Sequence, residues 1–177
     1  ATTRSAGLQT IDVTHFSDAT NVIMSILMFI GSSPSSVGGG IRTTTFAILI
    51  LFVINFNNNT EKSSIKVFNR EIHIIDIQRS FAVFIMATVL TFVSIIIILA
   101  AEANNLSFLQ VFFEVMSAFG TCGLSLGVTD NISSITKVVL MLLMFIGRVG
   151  LISFIIMISG RKEPDKFSYP KERIQIG

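Results

Sequence analysis

Charged side chains are scarce in this sequence. Asp, Glu, Lys and Arg make up 14% of the 177 residues, whereas 51% are hydrophobic and the mean hydropathy is +0.74. A soluble domain of this length rarely has such a composition, so we predict a membrane protein. The formal net charge of +2 is too small to indicate nucleic acid as a partner.

Cysteine is nearly absent. Cys122 is the single cysteine, which excludes an intrachain disulfide and a cysteine-cluster metal site. The glycine triplet at residues 38–40 lacks the Lys-Ser/Thr pair and the preceding strand of a phosphate loop, so the sequence predicts no nucleotide site.

The sequence contains an internal repeat. Residues 7–31 and 123–147 are identical at ten of 25 positions, at one constant offset of 116 residues. Both copies begin with Gly-Leu and end with Met-Phe-Ile-Gly. Such self-similarity indicates two copies of one structural unit.

Three apolar stretches are long enough to cross a bilayer, whose hydrocarbon core of about 30 Å needs roughly 20 residues. They are residues 21–55, 81–101 and 135–159. Basic residues cluster after the first and the third stretch, and the positive-inside rule makes both following segments cytoplasmic. The segments before residue 21 and between residues 101 and 135 then face outward.

Residues 106–120 form another apolar segment, which is too short to span a bilayer. We predict a re-entrant half-helix that returns through non-helical residues 121–125, because exposed backbone at membrane depth must line a water-filled cavity or be buried in protein. This is the layout of a cation-channel pore loop, in which carbonyl oxygens replace the hydration shell of the ion and glycine permits the backbone angles. The predicted filter comprises Ser5, Ala6, Gly7, Thr121, Cys122 and Gly123.

A polar break interrupts the first stretch. Its 35 residues would form a continuous helix of about 50 Å, longer than the membrane requires. Residues 31–44 break the helix with three consecutive glycines and Pro34. We interpret them as a loop across the pore below the filter that blocks it or swings aside, with an inert kink as the alternative. The predicted gate comprises Gly31, Ser32, Ser33, Ser35, Ser36, Gly38, Gly39, Gly40 and Arg148.

Arg148 lies near the middle of the last apolar stretch. A cation there costs about 2.5 to 3.5 kcal/mol, so it should face the pore or a polar partner. We expect its partners among the carbonyls and hydroxyls of residues 31–36; an arginine that only ties two helices together is the alternative. Glu114 and Glu102 could concentrate cations, although a solvated or capping role is the simpler interpretation for Glu102.

The motifs at residues 3–8, 31–42 and 145–148 closely resemble those of the Trk/Ktr/HKT superfamily of potassium transporters, and most of all the membrane subunit of the bacterial Ktr system. The resemblance implies an all-α membrane protein of tandem helix, pore-loop, helix repeats, potassium-channel-like, with one M2 helix broken by an intramembrane loop. Residues 1–55 would be the filter strand and broken M2 helix of the third repeat. Residues 56–80 would be a cytoplasmic connection, residues 81–160 the complete fourth repeat, and residues 161–177 a cytoplasmic tail.

The same resemblance implies potassium as the transported ion, a sodium dependence, and nucleotide acting only through a regulatory partner. The expected partners are the N-terminal half of the same subunit, a second copy in a homodimer, a cytosolic nucleotide-binding regulatory ring, and membrane lipid. The missing half is also expected because the first repeat lacks the outer helix and half-helix of the second. The expected location is the bacterial inner membrane, multi-pass, with the C-terminus in the cytoplasm.

Two other functions stay open. Repeats and a broken midplane helix are also typical of an alternating-access transporter. Residues 123–127 fit the G-x-S-x-G pattern of a serine hydrolase, but that motif needs a preceding strand and a histidine base, and His15 and His73 are poorly placed for Ser125. We therefore predict that the protein is not an enzyme.

Overall fold

The computed structural model describes residues 7, 13–34, 36, 38–55, 65–67, 70–102, 106–128 and 132–150. Within these residues the chain forms five α-helices, preceded by a 3-10 turn at Val13–His15. The helices are α1 (Asp18–Ile30), α2 (Thr43–Asn55), α3 (Ile74–Ala101), α4 (Phe108–Gly120) and α5 (Ser134–Val149).

The predicted break of the first apolar stretch is confirmed. The stretch folds as α1 and α2, two helices of 13 residues each, separated by residues 31–42. The helix ends at Gly31, whose φ of 73° lies in a region that L side chains rarely adopt. Each half is too short to cross a bilayer by itself.

Among the described residues, α3 is the one helix that is long and apolar enough to cross a membrane. Its outer surface exposes large apolar side chains such as Ile85, Phe92 and Ile96. Buried hydroxyls on the opposite surface, at Thr91 and Ser94, donate to carbonyls of the preceding turn. The helix begins seven residues before the predicted span of 81–101, because its first two turns contain charged residues that a hydropathy pattern excludes.

A short antiparallel hairpin lies in the predicted cytoplasmic connection. Strand β1 (Ile65–Val67) pairs with β2 (Arg70–Ile72), with Ile65 opposite Ile72. The prediction of an all-α chain is therefore right for the five helices and wrong for these six residues. Strands of three residues are too short to show the alternation of apolar and polar residues that predicts a strand.

Helix α4 lies at the centre of the described fold and packs against α1, α3 and α5. Its Phe113 and Phe119 are 0% exposed. The helix begins at a capping box, in which the Ser107 hydroxyl accepts a hydrogen bond from the backbone N–H of Gln110 and the Gln110 side chain accepts one from the backbone N–H of Ser107. The predicted half-helix is thus present; it begins at the exposed Phe108, and residues 115–120 at its C-terminal end are buried.

Candidate functional site

Thr121 ends α4 and reverses the chain. Its φ and ψ of 52° and 36° are left-handed, a conformation that is uncommon for a β-branched residue. The backbone N–H groups of Thr121 and Cys122 donate to the carbonyls of Ala118 and Ser117, at 3.2 and 3.0 Å. The chain then continues without helix through residues 121–128, which we call the return segment.

The return segment brings together two glycines that the repeat relates. Gly7 and Gly123 both have a positive φ, of 60° and 79°. A β-carbon added to Gly7 would lie only 2.9 Å from the carbonyl oxygen of Gly123, so a side chain at residue 7 does not fit between them. Two of the predicted filter residues are therefore in direct contact, whereas Ser5 and Ala6 lie outside the described residues.

Apolar packing fixes the return segment against the helices. Cys122 and Leu124 are buried in a cluster with Met28 of α1 and Phe113 of α4. Gly123, between them, is exposed. Alternate residues of the segment are thus anchored in the core, and Gly123 lies on the other side.

Residues 31–42 fold back onto the end of α1, and we call them the loop. The backbone N–H groups of Ile41 and Arg42 donate to the carbonyls of Phe29 and Ile30, at 3.2 and 2.9 Å. The Arg42 guanidinium also donates to the carbonyl of Pro34, at 3.0 Å. The two ends of the loop therefore lie side by side. Arg42, which is not among the predicted gate residues, helps to hold them together.

The loop meets the return segment at Gly39. The backbone N–H of Gly39 donates to the Thr121 hydroxyl at 2.9 Å. A β-carbon added to Gly39 would lie 2.9 Å from the Thr121 side chain and 3.0 Å from the carbonyl oxygen of Gly147. Because Gly39 is buried between these two residues, no side chain fits there.

The other predicted gate residues lie around this contact. Within the described part of the loop, Ser33 and Ser36 are exposed, and Ser35 is outside the described residues. The partly buried members are Gly31, Ser32, Gly38 and Gly40.

Arg148 lies in the last turn of α5, and its side chain is exposed. It forms no hydrogen bond or ion pair with the part of the chain that the structure describes, so the expected polar contact is not present with residues 31–34 or 36. Its neighbour Gly147 packs against the backbone of Phe119 in α4 and places its carbonyl oxygen beside Gly39 of the loop.

Two buried or half-buried carboxylates hold backbone segments. Glu114 in α4 accepts hydrogen bonds from the Ser125 hydroxyl and, at 3.1 Å, from the backbone N–H of Leu126. Glu102, 6% exposed, accepts from the backbone N–H of Ser133 at 2.6 Å and from the Thr136 hydroxyl at 3.1 Å. Glu102 is therefore buried and not solvated, and its carboxylate holds the N-cap residue Ser133 and Thr136 in the first turn of α5.

The geometry around Ser125 does not fit a nucleophile elbow. That motif places its serine on a turn between a strand and a helix. Here the element before the motif is α4, and the serine hydroxyl donates to a carboxylate of that helix. The serine-hydrolase alternative is therefore wrong.

The chain matches the family model TrkH, described as cation transport protein, over residues 1–169. It therefore belongs to the TrkH cation transport family, whose members are transporters and not enzymes. Its similarity to two Ktr system potassium uptake proteins confirms the resemblance seen in the sequence motifs.

Three of these relatives show how far the similarity extends. The chain is 50% identical over 176 residues to Ktr system potassium uptake protein D of Bacillus subtilis, covering 99% of this chain and 38% of that protein. It is 33% identical over 178 residues to Ktr system potassium uptake protein B of Vibrio alginolyticus, covering 100% and 38%. It is 33% identical over 181 residues to potassium/sodium uptake protein NtpJ of Enterococcus hirae, covering 99% and 40%. The chain thus spans about two fifths of the length of these relatives.

Proposed function

We propose that this chain is part of a potassium translocation subunit with a channel-like pore, in which backbone carbonyls select the ion. The observation that carries the proposal is the contact of Gly7 with Gly123. Two glycines related by the internal repeat meet there, and their positive φ angles permit carbonyl directions that other residues rarely adopt. Carbonyls held in this way can replace the hydration shell of a potassium ion.

The proposed filter consists of Ser5, Ala6 and Gly7 from one repeat and Thr121, Cys122 and Gly123 from the next. The C-terminal end of α4 supports it, because the last carbonyls of a helix place a partial negative charge where a cation would rest. Two strands cannot enclose a pore, so the proposal includes an N-terminal half of the same subunit that supplies two further strands.

The loop is the proposed gate of this pore. It touches the filter through the bond from Gly39 to Thr121, and the other side of Gly39 lies against α5. A segment in this position obstructs the path below the filter, and its displacement requires the loss of one hydrogen bond at that point. Arg148, one residue beyond Gly147, would add a fixed positive charge beside the path.

We also propose a membrane topology and a set of partners, which the distribution of basic residues and the Ktr relatives support. The subunit would span the bacterial cell membrane several times with its C-terminus in the cytoplasm, pair as a homodimer, and bind a cytosolic ring that senses nucleotide. The division into residues 1–55, 56–80, 81–160 and 161–177 belongs to the same proposal. A sodium dependence is suggested by the name of the Enterococcus relative.

The experiment that tests this function measures potassium and sodium uptake by the complete subunit in proteoliposomes. Wild type is compared with a variant that lacks residues 38–40. Faster or unregulated potassium flux in the deletion supports a gating loop, whereas unchanged flux makes the loop a structural break. Absolute rates decide between a channel and alternating access, because a channel carries ions far above ordinary turnover numbers.

A further inference from the structure

Glu114 ties three successive residues of the return segment to the centre of α4. Its carboxylate accepts hydrogen bonds from the Ser125 hydroxyl and the Leu126 backbone N–H, the latter at 3.1 Å. The backbone N–H of Gly127 donates in turn to the Ser125 hydroxyl oxygen at 3.1 Å. Glu114 thus holds Ser125 and Leu126 directly and Gly127 through the Ser125 hydroxyl. Ser125 lies two positions beyond Gly123.

The Glu114 side chain is held in place because its helix is fixed in the core. Its neighbours on the helix, Phe113 and Val115, are both 0% exposed and fix α4 in the core. A half-buried carboxylate is costly unless hydrogen bonds satisfy it, and here a backbone N–H and a hydroxyl do so.

The opposite end of the filter strand is anchored in a different way. Thr121 is held by the C-terminal turn of α4, and Cys122 and Leu124 by apolar packing. After Leu124, Leu126 and Val128 pack against the core that contains α4, and the Glu114 carboxylate supplies hydrogen bonds from α4 to Ser125 and Leu126. Apolar packing thus holds both neighbours of Gly123, and the bonds of Glu114 fix the direction in which the backbone leaves Leu124.

We infer that Glu114 is a positioning residue for ion selectivity: its carboxylate fixes the outer end of the filter strand and thereby the placement of the Gly123 carbonyl. The inference rests on the proposed function, since it needs Gly123 to face the ion. Glu114 acts here as a hydrogen-bond acceptor and not as an ion ligand. Discrimination between potassium and sodium depends on the placement and number of carbonyl oxygens, so loosening the strand should change selectivity before it changes the rate of flux.

The test measures the ratio of potassium to sodium uptake by the complete subunit in proteoliposomes, because a ratio does not depend on the amount of active protein. We expect Glu114→Ala to lower the ratio about tenfold, because both hydrogen bonds to the strand are lost together. Glu114→Gln keeps an acceptor oxygen for the same donors and should keep the ratio within about twofold of wild type. Ser125→Ala removes one of the donors and should give an intermediate ratio.

Glu102 provides a matched control. It also accepts from one backbone N–H and one hydroxyl, but it holds the first turn of α5 and not the return segment. Glu102→Ala should lower the thermal stability of the subunit and leave the ratio unchanged. A ratio that falls equally in Glu102→Ala and Glu114→Ala would reduce Glu114 to a structural residue and overturn the inference.

Two outcomes separate a role in positioning from a role in charge. If Glu114→Gln lowers the uptake of both ions in parallel while Glu114→Ala does the same, the carboxylate attracts cations and the inference is wrong. If Glu114→Ala does not fold, Ser125→Ala decides, since a wild-type ratio in that variant contradicts the inference. Gly123→Ala shows whether the proposed function itself holds, because an unchanged ratio of potassium to sodium uptake in this variant removes Gly123 from the filter. If Gly123→Ala alters the ratio but Glu114→Ala has the wild-type ratio, only the positioning role of Glu114 is rejected.

Discussion

The backbone N–H of Gly39 lies 2.9 Å from the hydroxyl oxygen of Thr121, although 82 residues separate them in the chain. One belongs to the loop that breaks the first apolar stretch, and the other begins the return segment after α4. Thr121 adopts a left-handed conformation, which turns the chain back and directs its hydroxyl to the loop. One hydrogen bond thus connects the proposed gate to the proposed filter.

Replacing Thr121 by Val should release the loop. Valine keeps the shape and the β-branch of threonine but leaves the buried N–H of Gly39 without its acceptor, at a cost of about 1 to 3 kcal/mol. We therefore expect basal potassium flux through the complete subunit to rise several-fold in proteoliposomes.

Thr121→Ser is the control for this change, because serine retains the hydroxyl and loses only the methyl group that lies against Gly39. It should show flux close to wild type. Equal flux in wild type and Thr121→Val would mean that the hydrogen bond does not hold the loop in its place.

Gly123→Ala should weaken the discrimination between potassium and sodium. The new β-carbon meets the α-carbon of Gly7 at 3.4 Å and also forces alanine into a positive φ. Gly127→Ala is a close match, since Gly127 has a φ of 78°, against 79° at Gly123, but no described residue lies within 4 Å of a β-carbon built on it. We expect both variants to lose about 1 kcal/mol of stability through the left-handed backbone. Only Gly123→Ala should change the ratio of potassium to sodium uptake, and an equal change in Gly127→Ala would point to general strain in the return segment.

The sequence was sufficient for the features that repeat or that have a characteristic length. The repeat located Gly7 and Gly123, the apolar run of 106–120 predicted α4, and the glycine triplet predicted the break between α1 and α2. Hydrogen bonds between distant residues could not be predicted, because nothing in the local pattern shows which acceptor Gly39 finds. The roles of Glu114 and Arg42 were missed for the same reason, although a charged residue inside an apolar segment is a signal that it has a polar partner.

Arg148→Ala should increase cation flux without a large loss of stability. The exposed Arg148 side chain has no partner among the described residues, so its removal leaves no buried donor or acceptor unsatisfied. A fixed positive charge beside the permeation path repels a passing cation, so we expect Arg148→Ala to raise the flux several-fold.

The control for Arg148 is Lys137→Ala, which removes a second exposed cation from the opposite end of α5. Its effect on flux should be small, and Arg148→Lys should behave as wild type because the charge is kept. If Arg148→Ala carries ions at the wild-type rate, the arginine lies outside the permeation path and serves only to orient α5.

Gly147→Ala should destabilise the fold, although the same change in an isolated helix would stabilise it by about 1 kcal/mol. A methyl group at Gly147 would overlap the carbonyl oxygen of Phe119, so α5 could no longer approach α4. The overlapping atom belongs to the backbone of a buried helix end and cannot rotate away, and forced overpacking of this kind costs about 1 to 3 kcal/mol. Thermal unfolding of the complete subunit in detergent would measure the loss. Gly150→Ala is the comparison, since it brings the strain of a positive φ but its β-carbon meets no described residue within 4 Å. Because Gly147 also lies against Gly39, the separation of α5 from α4 should loosen the loop as well, and a variant as stable and as tightly gated as wild type would show that this close contact does not exist in the membrane.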